Sequence, residues 1–406
     1  MTHLTISALI LALSLFVFAI GKSPVFRVDR AGAAIIGASL TIATGVTGFD
    51  QAVQAIDYRT IVLLFSMMLV TSYLNISGLF QLAGNQLISR LHTKKQLLIM
   101  VIIVTGILSA FFINDIVCLL LTPIVILICQ RAQINPVPYL LAVATASNIG
   151  SSATLIGNPQ NILIGSLSRI NFARYMATAM PLTLVGLALI YLIILRAYRT
   201  ELNGPLPACQ PLNGAVHRYL VRKGLLVLFV VLAGFLAGFD PAIVAAVGAA
   251  FLLMTRRIKP NKVYAGIDFN LLVTFIGLFV IIGGVESSGL FSNITSLPWL
   301  RNTSSLPVFS VLTVALSNVV SNVPAVMLMK FFIPAGPAEQ WWTAMAVFST
   351  LAGNLTLTGS IANLIVVELA KKQNVNIGFS TYLKIGFPLT VIMVVVALVY
   401  FRILPV

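Results

Sequence analysis

Charge is scarce in this chain. Asp, Glu, Lys and Arg make up 9% of its 406 residues, where a soluble domain carries about a quarter. Acidic residues are the scarcest, ten against 25 Lys and Arg. Cys118, Cys129 and Cys209 are the only cysteines, and their spacing fits neither a metal site nor a disulfide framework. His3, His92 and His217 all fall outside the apolar runs, which argues against a catalytic or metal-bound histidine. No bound cofactor or metal is implied. A nucleotide loop is missing too. Gly21-Lys22-Ser23 ends like one, but Phe16 stands where its first glycine belongs and no nucleotide-sized soluble domain exists, which excludes an ATP-driven pump within the chain.

What is present is apolar. Hydrophobic residues make up 59% of the chain, in recurring runs near the ~20 residues that a bilayer span needs. The chain reads as an all-α polytopic membrane protein with the lipid bilayer as its solvent. Its net charge of +15 lies between apolar runs, where orientation signals belong, and is no nucleic-acid footprint. The first run, residues 4–20, lacks a basic leader and a cleavage site and reads as a retained span.

The chain repeats itself. "IDYRTIV" at 56 answers "IDFNLLV" at 267, and "SGLF" at 77 answers "SGLF" at 288. "FINDIVCLLLTP" (112–123) lies over "VSNVPAVMLMKF" (320–331), and "SNIGSSATLIGNPQNILI" (147–164) over "STLAGNLTLTGSIANLIV" (349–366). "MPLT" at 180 matches "FPLT" at 387, and the offset stays between 202 and 211 throughout. Ordered matches at near-constant offset predict two structural repeats, residues 1–195 and 224–406, joined by a cytoplasmic linker at 196–223.

In each half the fourth apolar segment, 97–129 or 305–334, is too long for one span and carries a polar centre, Asn114-Asp115 or Ser321-Asn322. A re-entrant hairpin accounts for this; two full crossings joined by a short loop is the alternative. With hairpins, each half crosses five times and the second half inserts upside down. Nineteen Lys and Arg then share one side, which the positive-inside rule makes cytoplasmic, with both termini outside the plasma (inner) membrane.

The fifth segments, 139–165 and 342–368, are interrupted by Gly150 and Gly157 and by Gly353 and Gly359. Irregular backbone at membrane depth must be buried in protein or line a polar cavity. Pro159 suits the first turn of a restarted helix. Two discontinuous helices are predicted, their half-helix ends meeting at a midplane site. Candidate substrate-binding residues are Asn148, Ser151, Ser152, Thr154, Asn158, Asn354, Thr356, Thr358, Ser360 and Asn363, with Asn114, Ser321 and Asn322 from the hairpin tips. All are neutral donors and acceptors. Acidic residues within apolar segments are functional suspects. Asp115 is the candidate proton-coupling carboxylate, and Glu286, which replaces Asn75 of the first half, is a weaker one.

"FINDIVCLLLTPIVI", "NIGSSATLIGNPQNILIG" and "SNVVSNVPAVM" resemble the ion transporter superfamily. They look most like its arsenite permease (arsenical pump membrane protein) family and the related anion-transporter branch. The resemblance spans essentially the whole chain. It implies two hairpins, two broken helices and elevator-type alternating access against a scaffold that includes 30–48 and 60–80. It allows a homodimer and a cytoplasmic ATPase subunit. The hairpin tips depart from the Ser-Asn-Thr of the sodium–dicarboxylate branch, which argues against that activity. The resulting expectation is a secondary transporter that exports arsenite and antimonite in exchange for protons. Arsenite is a neutral trihydroxide near neutral pH, and hydroxyl and amide side chains can bind it without desolvating a charge. Cys118 offers a thiol for trivalent arsenic, although a small buried cysteine is the commoner role. The alternatives are a proton- or sodium-coupled transporter of dicarboxylate, sulfate or phosphate, a sodium/proton antiporter, and a passive channel for small neutral solutes.

Overall fold

The computed structural model describes residues 2–89, 91–207, 216–295, 305–334 and 338–403. These residues form an all-α membrane protein. Cys209 lies outside the described residues.

Ten described helices occupy each half, in the same order. In the first half they are α1 (His3–Ile20), α2 (Arg30–Ala43), α3 (Phe49–Gln54), α4 (Tyr58–Ser77), α5 (Leu79–Ser89), α6 (Lys94–Phe111), α7 (Asn114–Arg131), α8 (Val137–Ser151), α9 (Pro159–Ser168) and α10 (Phe172–Ala197). In the second half they are α11 (Arg218–Leu236), α12 (Pro241–Leu253), α13 (Pro260–Tyr264), α14 (Phe269–Ser287), α15 (Leu290–Thr295), α16 (Leu306–Val320), α17 (Asn322–Met329), α18 (Glu339–Ala352), α19 (Ile361–Lys372) and α20 (Phe379–Ile403). Eight of them are at least 18 residues long and apolar enough to cross a membrane.

Packing pairs the halves. α2 lies on α14 as α4 lies on α12, α6 on α8 as α16 on α18, and α7 on α19 as α9 on α17. Two groups result: α1, α2 and α4 with α11, α12 and α14, and α6–α10 with α16–α20. Small residues set the closest approaches. A Cβ on Gly277 would stand 2.6 Å from the Ala34 carbonyl oxygen, and one on Gly150 only 2.3 Å from that of Gly106. Small residues let apolar helices meet backbone to backbone in a solvent that does not drive them together.

One boundary differs from the sequence expectation. The second half begins its first helix at Arg218, within the predicted linker, because Lys223 extends along α12 and donates to the Phe251 and Met254 carbonyls at 2.9 and 3.0 Å. A lysine that caps another helix's end is compatible with a helix start. The described parts of the linker are also held: Gly204 and Leu206 bond Lys94 and His92, and His217 N–H reaches Ser77 O.

The two segments expected as hairpins each fold as a pair of helices, α6 and α7 meeting at Phe112-Ile113 and α16 and α17 meeting at Ser321. α6 and α7 each contain 18 residues, about 27 Å of helix, while α17 has only eight. Ser321 adopts φ 76 and ψ 157, a region that costs a non-glycine residue about 1–3 kcal/mol. The predicted broken helices are interrupted at 152–158 and 353–360.

Candidate functional site

The first break follows from its residues. α8 ends after Gly150-Ser151, and α9 restarts with Asn158 as its cap, whose side chain accepts from Asn161 N–H at 3.1 Å, and with Pro159 at the first helical position. The second break has no proline, and Ser360 does not cap α19 with its side chain. Its hydroxyl is used across the molecule instead, on Asn148.

Asn148 is the centre. It is 2% exposed, at the end of a helix running about 17 Å from its start at Val137. Its Oδ1 accepts from Asn114 Nδ2 and Ser360 Oγ, both at 3.0 Å. Its Nδ2 donates to Asn354 Oδ1 at 2.9 Å and Asn363 Oδ1 at 3.1 Å. One amide thus joins the first hairpin tip to the second broken helix with its whole hydrogen-bonding capacity.

Thr350, the repeat partner of Asn148, makes the reciprocal contacts. It accepts from Asn158 Nδ2 at 3.1 Å and donates to Asn161 Oδ1 at 3.3 Å. Each break is stapled in the same way. Asn161 Nδ2 donates to the Ser151 and Thr154 carbonyls at 3.3 and 3.1 Å, and Asn363 Nδ2 to those of Gly353 and Thr356 at 2.8 and 3.3 Å. The three positions correspond at one offset. A tyrosine backs each staple: Tyr175 donates to Ser152 O at 2.9 Å and Tyr382 to Asn354 Oδ1 at 3.4 Å.

The hairpins dock on the same loops. Asn114 N–H donates to Gly157 O at 3.0 Å, and Thr154 Oγ1 to Ala110 O. In the second half Asn318 donates to Ala352 O and accepts from Thr356 Oγ1, both at 3.1 Å. Gly157 is required here, since a Cβ would meet Ser151 O at 2.4 Å and Ser109 O at 2.6 Å. Four buried oxygens around these junctions have no partner among the described residues: Ser109 Oγ and Asn114 Oδ1, and their repeat counterparts Ser317 Oγ and Asn322 Oδ1. Buried polar atoms without partners are uncommon and mark places where a ligand or water belongs.

The remaining candidates divide. Ser151 accepts from Asn158 Nδ2 at 2.9 Å and belongs to the site. Ser152 turns to Thr183 on α10 at 3.0 Å. Thr358 is exposed and meets Thr356 at 3.3 Å. Asp115 sits in the first turn of α7, next to Asn114 at the hairpin tip. Cys118 is fully buried, its thiol 3.0 Å from Ser147 Oγ. Glu286 forms an ion pair with Lys330 at 2.8 Å, a partly exposed contact beside the second hairpin. Asn161, Thr350, Asn318, Ser109 and Ser317 were not among the predicted residues. Asn161 was detectable, because the repeat places it on Asn363.

Two cavities flank this polar centre. One, of about 340 Å³, lies between α4, α9 and α12 and includes Arg59, Arg169, Asp240, Leu155 and Ser166. The other, of about 220 Å³, is bounded by Arg30, Asp268 and Asn270 on one side and Ser321, Val323 and Ile361 on the other.

The citrate transporter (CitMHS) family model matches residues 13–347. The chain belongs to this family, within the ion transporter superfamily. The transporter is 30% identical to the silicon efflux transporter LSI3 of rice (Oryza sativa subsp. japonica), over 92% of this chain and 93% of the relative. It is 25% identical to the putative transporter arsB of Dictyostelium discoideum, over 91% and 86%. It is 28% identical to the inner membrane protein YbiR of Escherichia coli, over 81% and 84%. It is a multi-pass membrane transporter and not an enzyme.

Proposed function

We propose that this transporter is a secondary exporter of a small neutral hydroxide, arsenite or antimonite, driven by protons entering in exchange. The observation that carries the reading is the composition of the buried centre. Asn114, Asn148, Asn158, Asn354, Ser360 and Asn363 form it with no charged side chain among them, and Asn114 Oδ1 and Asn322 Oδ1 remain as acceptors for a hydroxyl-bearing solute. A solute rich in hydroxyl donors satisfies such acceptors without the desolvation cost of an ion. The names of two relatives, a silicon efflux transporter and a putative arsB transporter, support the same class, since silicon in neutral water is also a neutral hydroxide. Asp115 carries the coupling proton. It stands one residue from Asn114, so proton and solute act on the same hairpin tip.

The moving unit is α6–α10 with α16–α20, sliding as an elevator against α1–α4 with α11–α14. The halves, 1–195 and 224–406, insert in opposite orientations with both termini outside. Contacts at helix ends support this grouping: Arg59 pairs with Asp240 at 3.1 Å and Arg174 with Glu339 at 2.7 Å, all on the predicted outer side, and Lys223 meets Met254 on the inner. A second reading, proton- or sodium-coupled transport of a small anion, draws on the family's description and on Arg59 and Arg169 in the larger cavity.

Inside-out vesicles with an acid interior test both. Gradient-dependent arsenite uptake that Asp115→Asn abolishes is the expected result. Equal uptake by both proteins, with no need for the gradient, refutes coupling. No arsenite uptake, with citrate or phosphate accumulating instead, transfers the case to the anion reading.

A further inference from the structure

The connection between α1 and α2 is longer than its counterpart between α11 and α12. Gly21 and Gly238 both end their helices at positive φ, 86° and 84°, and Asp29 and Asp240 both cap the next helix with their side chains. Residues 22–28 fill the first interval, whereas Phe239 alone fills the second. The additional residues are tied together by their own hydrogen bonds. Lys22 and Asp29 form an antiparallel bridge, Ser23 N–H donates to Val28 O at 2.7 Å, and Ser23 Oγ accepts from the Val25 and Phe26 amides at 3.3 and 3.2 Å.

This finger carries an apolar tip outward, with Val25 78% and Phe26 71% exposed. Beside it lies a groove of about 300 Å³ between α1 and α2, in which Ser14 and Ser23 are the only polar lining residues among Leu13, Phe16, Ile36, Leu40 and their neighbours. Lys22 and Arg27, on the same finger, are exposed and take no part in the ion pairs of the described residues. In a membrane-spanning chain, apolar surface of this kind faces lipid hydrocarbon. At the end of a membrane-spanning helix, two unneutralised cations beside an apolar groove match one ligand class: negative at one end and hydrocarbon at the other.

We infer that the finger and groove bind one anionic phospholipid, its phosphate held by Lys22 and Arg27 and an acyl chain lying along Leu13, Phe16 and Ile36. The site is independent of the transported solute. It lies on the α1–α2 face of the proposed frame and ties that frame to the headgroup layer, while the opposing turn at Phe239 has no such anchor.

The test uses the purified full-length chain carrying Phe26→Trp, read against the parent chain so that native tryptophan emission cancels. Bilayer nanodiscs contain brominated phosphatidylglycerol or brominated phosphatidylcholine at increasing mole fraction. Near-surface cations favour anionic lipid by about five-fold each, so phosphatidylglycerol should quench at roughly thirty-fold lower mole fraction. Lys22→Gln with Arg27→Gln should bring the two lipids close to parity, while Lys371→Gln with Lys372→Gln should not. Native mass spectrometry should retain one phosphatidylglycerol on the parent and none on the Lys22/Arg27 variant. Equal quenching by both lipids in the parent overturns the inference. So does protection from both lipids in a dimer, which would make a second copy the occupant.

Discussion

Replacing Asn148 by Ala removes four interhelical hydrogen bonds at once, those to Asn114, Ser360, Asn354 and Asn363. Interhelical bonds in membranes average about 0.6 kcal/mol each, so the four together are worth about 2 kcal/mol. The partners fare unequally. Asn354 Oδ1 still accepts from Tyr382 and Asn354 Nδ2 still donates to Thr145 O at 3.2 Å, whereas Asn114 Nδ2, Ser360 Oγ and Asn363 Oδ1 lose their bonds to Asn148. Unsatisfied buried groups cost more than the lost bonds, which raises the expectation to about 2–4 kcal/mol. Reversible unfolding in mixed micelles of mild detergent and dodecyl sulfate measures it. A double-mutant cycle with Asn363→Ala isolates the contact between the halves, with an expected coupling of about 0.6–1 kcal/mol. A loss below about 0.5 kcal/mol with no coupling would falsify the argument that this amide joins the two halves.

Other expectations follow from the same contacts. Gly150→Ala drives a Cβ into the backbone of α6 at 2.3 Å from Gly106 O, whereas Gly248→Ala meets a rotatable Val231 methyl at 2.5 Å. Thermal unfolding should show a loss of about 3 kcal/mol or more for the first and about 1 kcal/mol for the second. Cys118→Ala should keep most transport, and in the parent maleimide should label Cys118 only after unfolding, because that thiol is fully buried. Arg174→Gln should change stability by less than about 1 kcal/mol, because the pair with Glu339 is exposed and water screens it.

The helical class and the location of the breaks were legible because glycine and polar residues interrupt otherwise apolar runs, and the repeat exposes each interruption twice. The chemistry of Asn148 was only half legible. A buried amide in such a stretch is a recognisable candidate, but its choice of partners in the other half depends on packing between α8 and α19, which no local pattern encodes. Asn161 shows the converse: its role is written in the repeat, yet a neighbouring proline draws attention to the cap at Asn158. Ser109 and Ser317 were hidden for another reason. Each sits in a largely apolar helix, where serine commonly bonds its own backbone, and their matched lack of partners is what singles them out. The start of α11 was missed because three basic residues look like linker, and the helix that Lys223 caps is far away in sequence.

The reciprocal exchange across the two halves has a consequence for biosynthesis. Asn148 finds Asn354 and Asn363 in chain that lies 206 and 215 residues further on, and Asn158 finds Thr350 192 residues on. At about 5–20 residues per second, the first half waits for roughly 10–40 s with these three bonds unmade. In that interval their donors must be held by water, by the insertion machinery or by temporary partners, because hydrocarbon offers no substitute. A chain truncated after α10 is therefore an unfinished object rather than half a transporter, and it carries in its own centre the polar signal by which a membrane quality-control protease can recognise it.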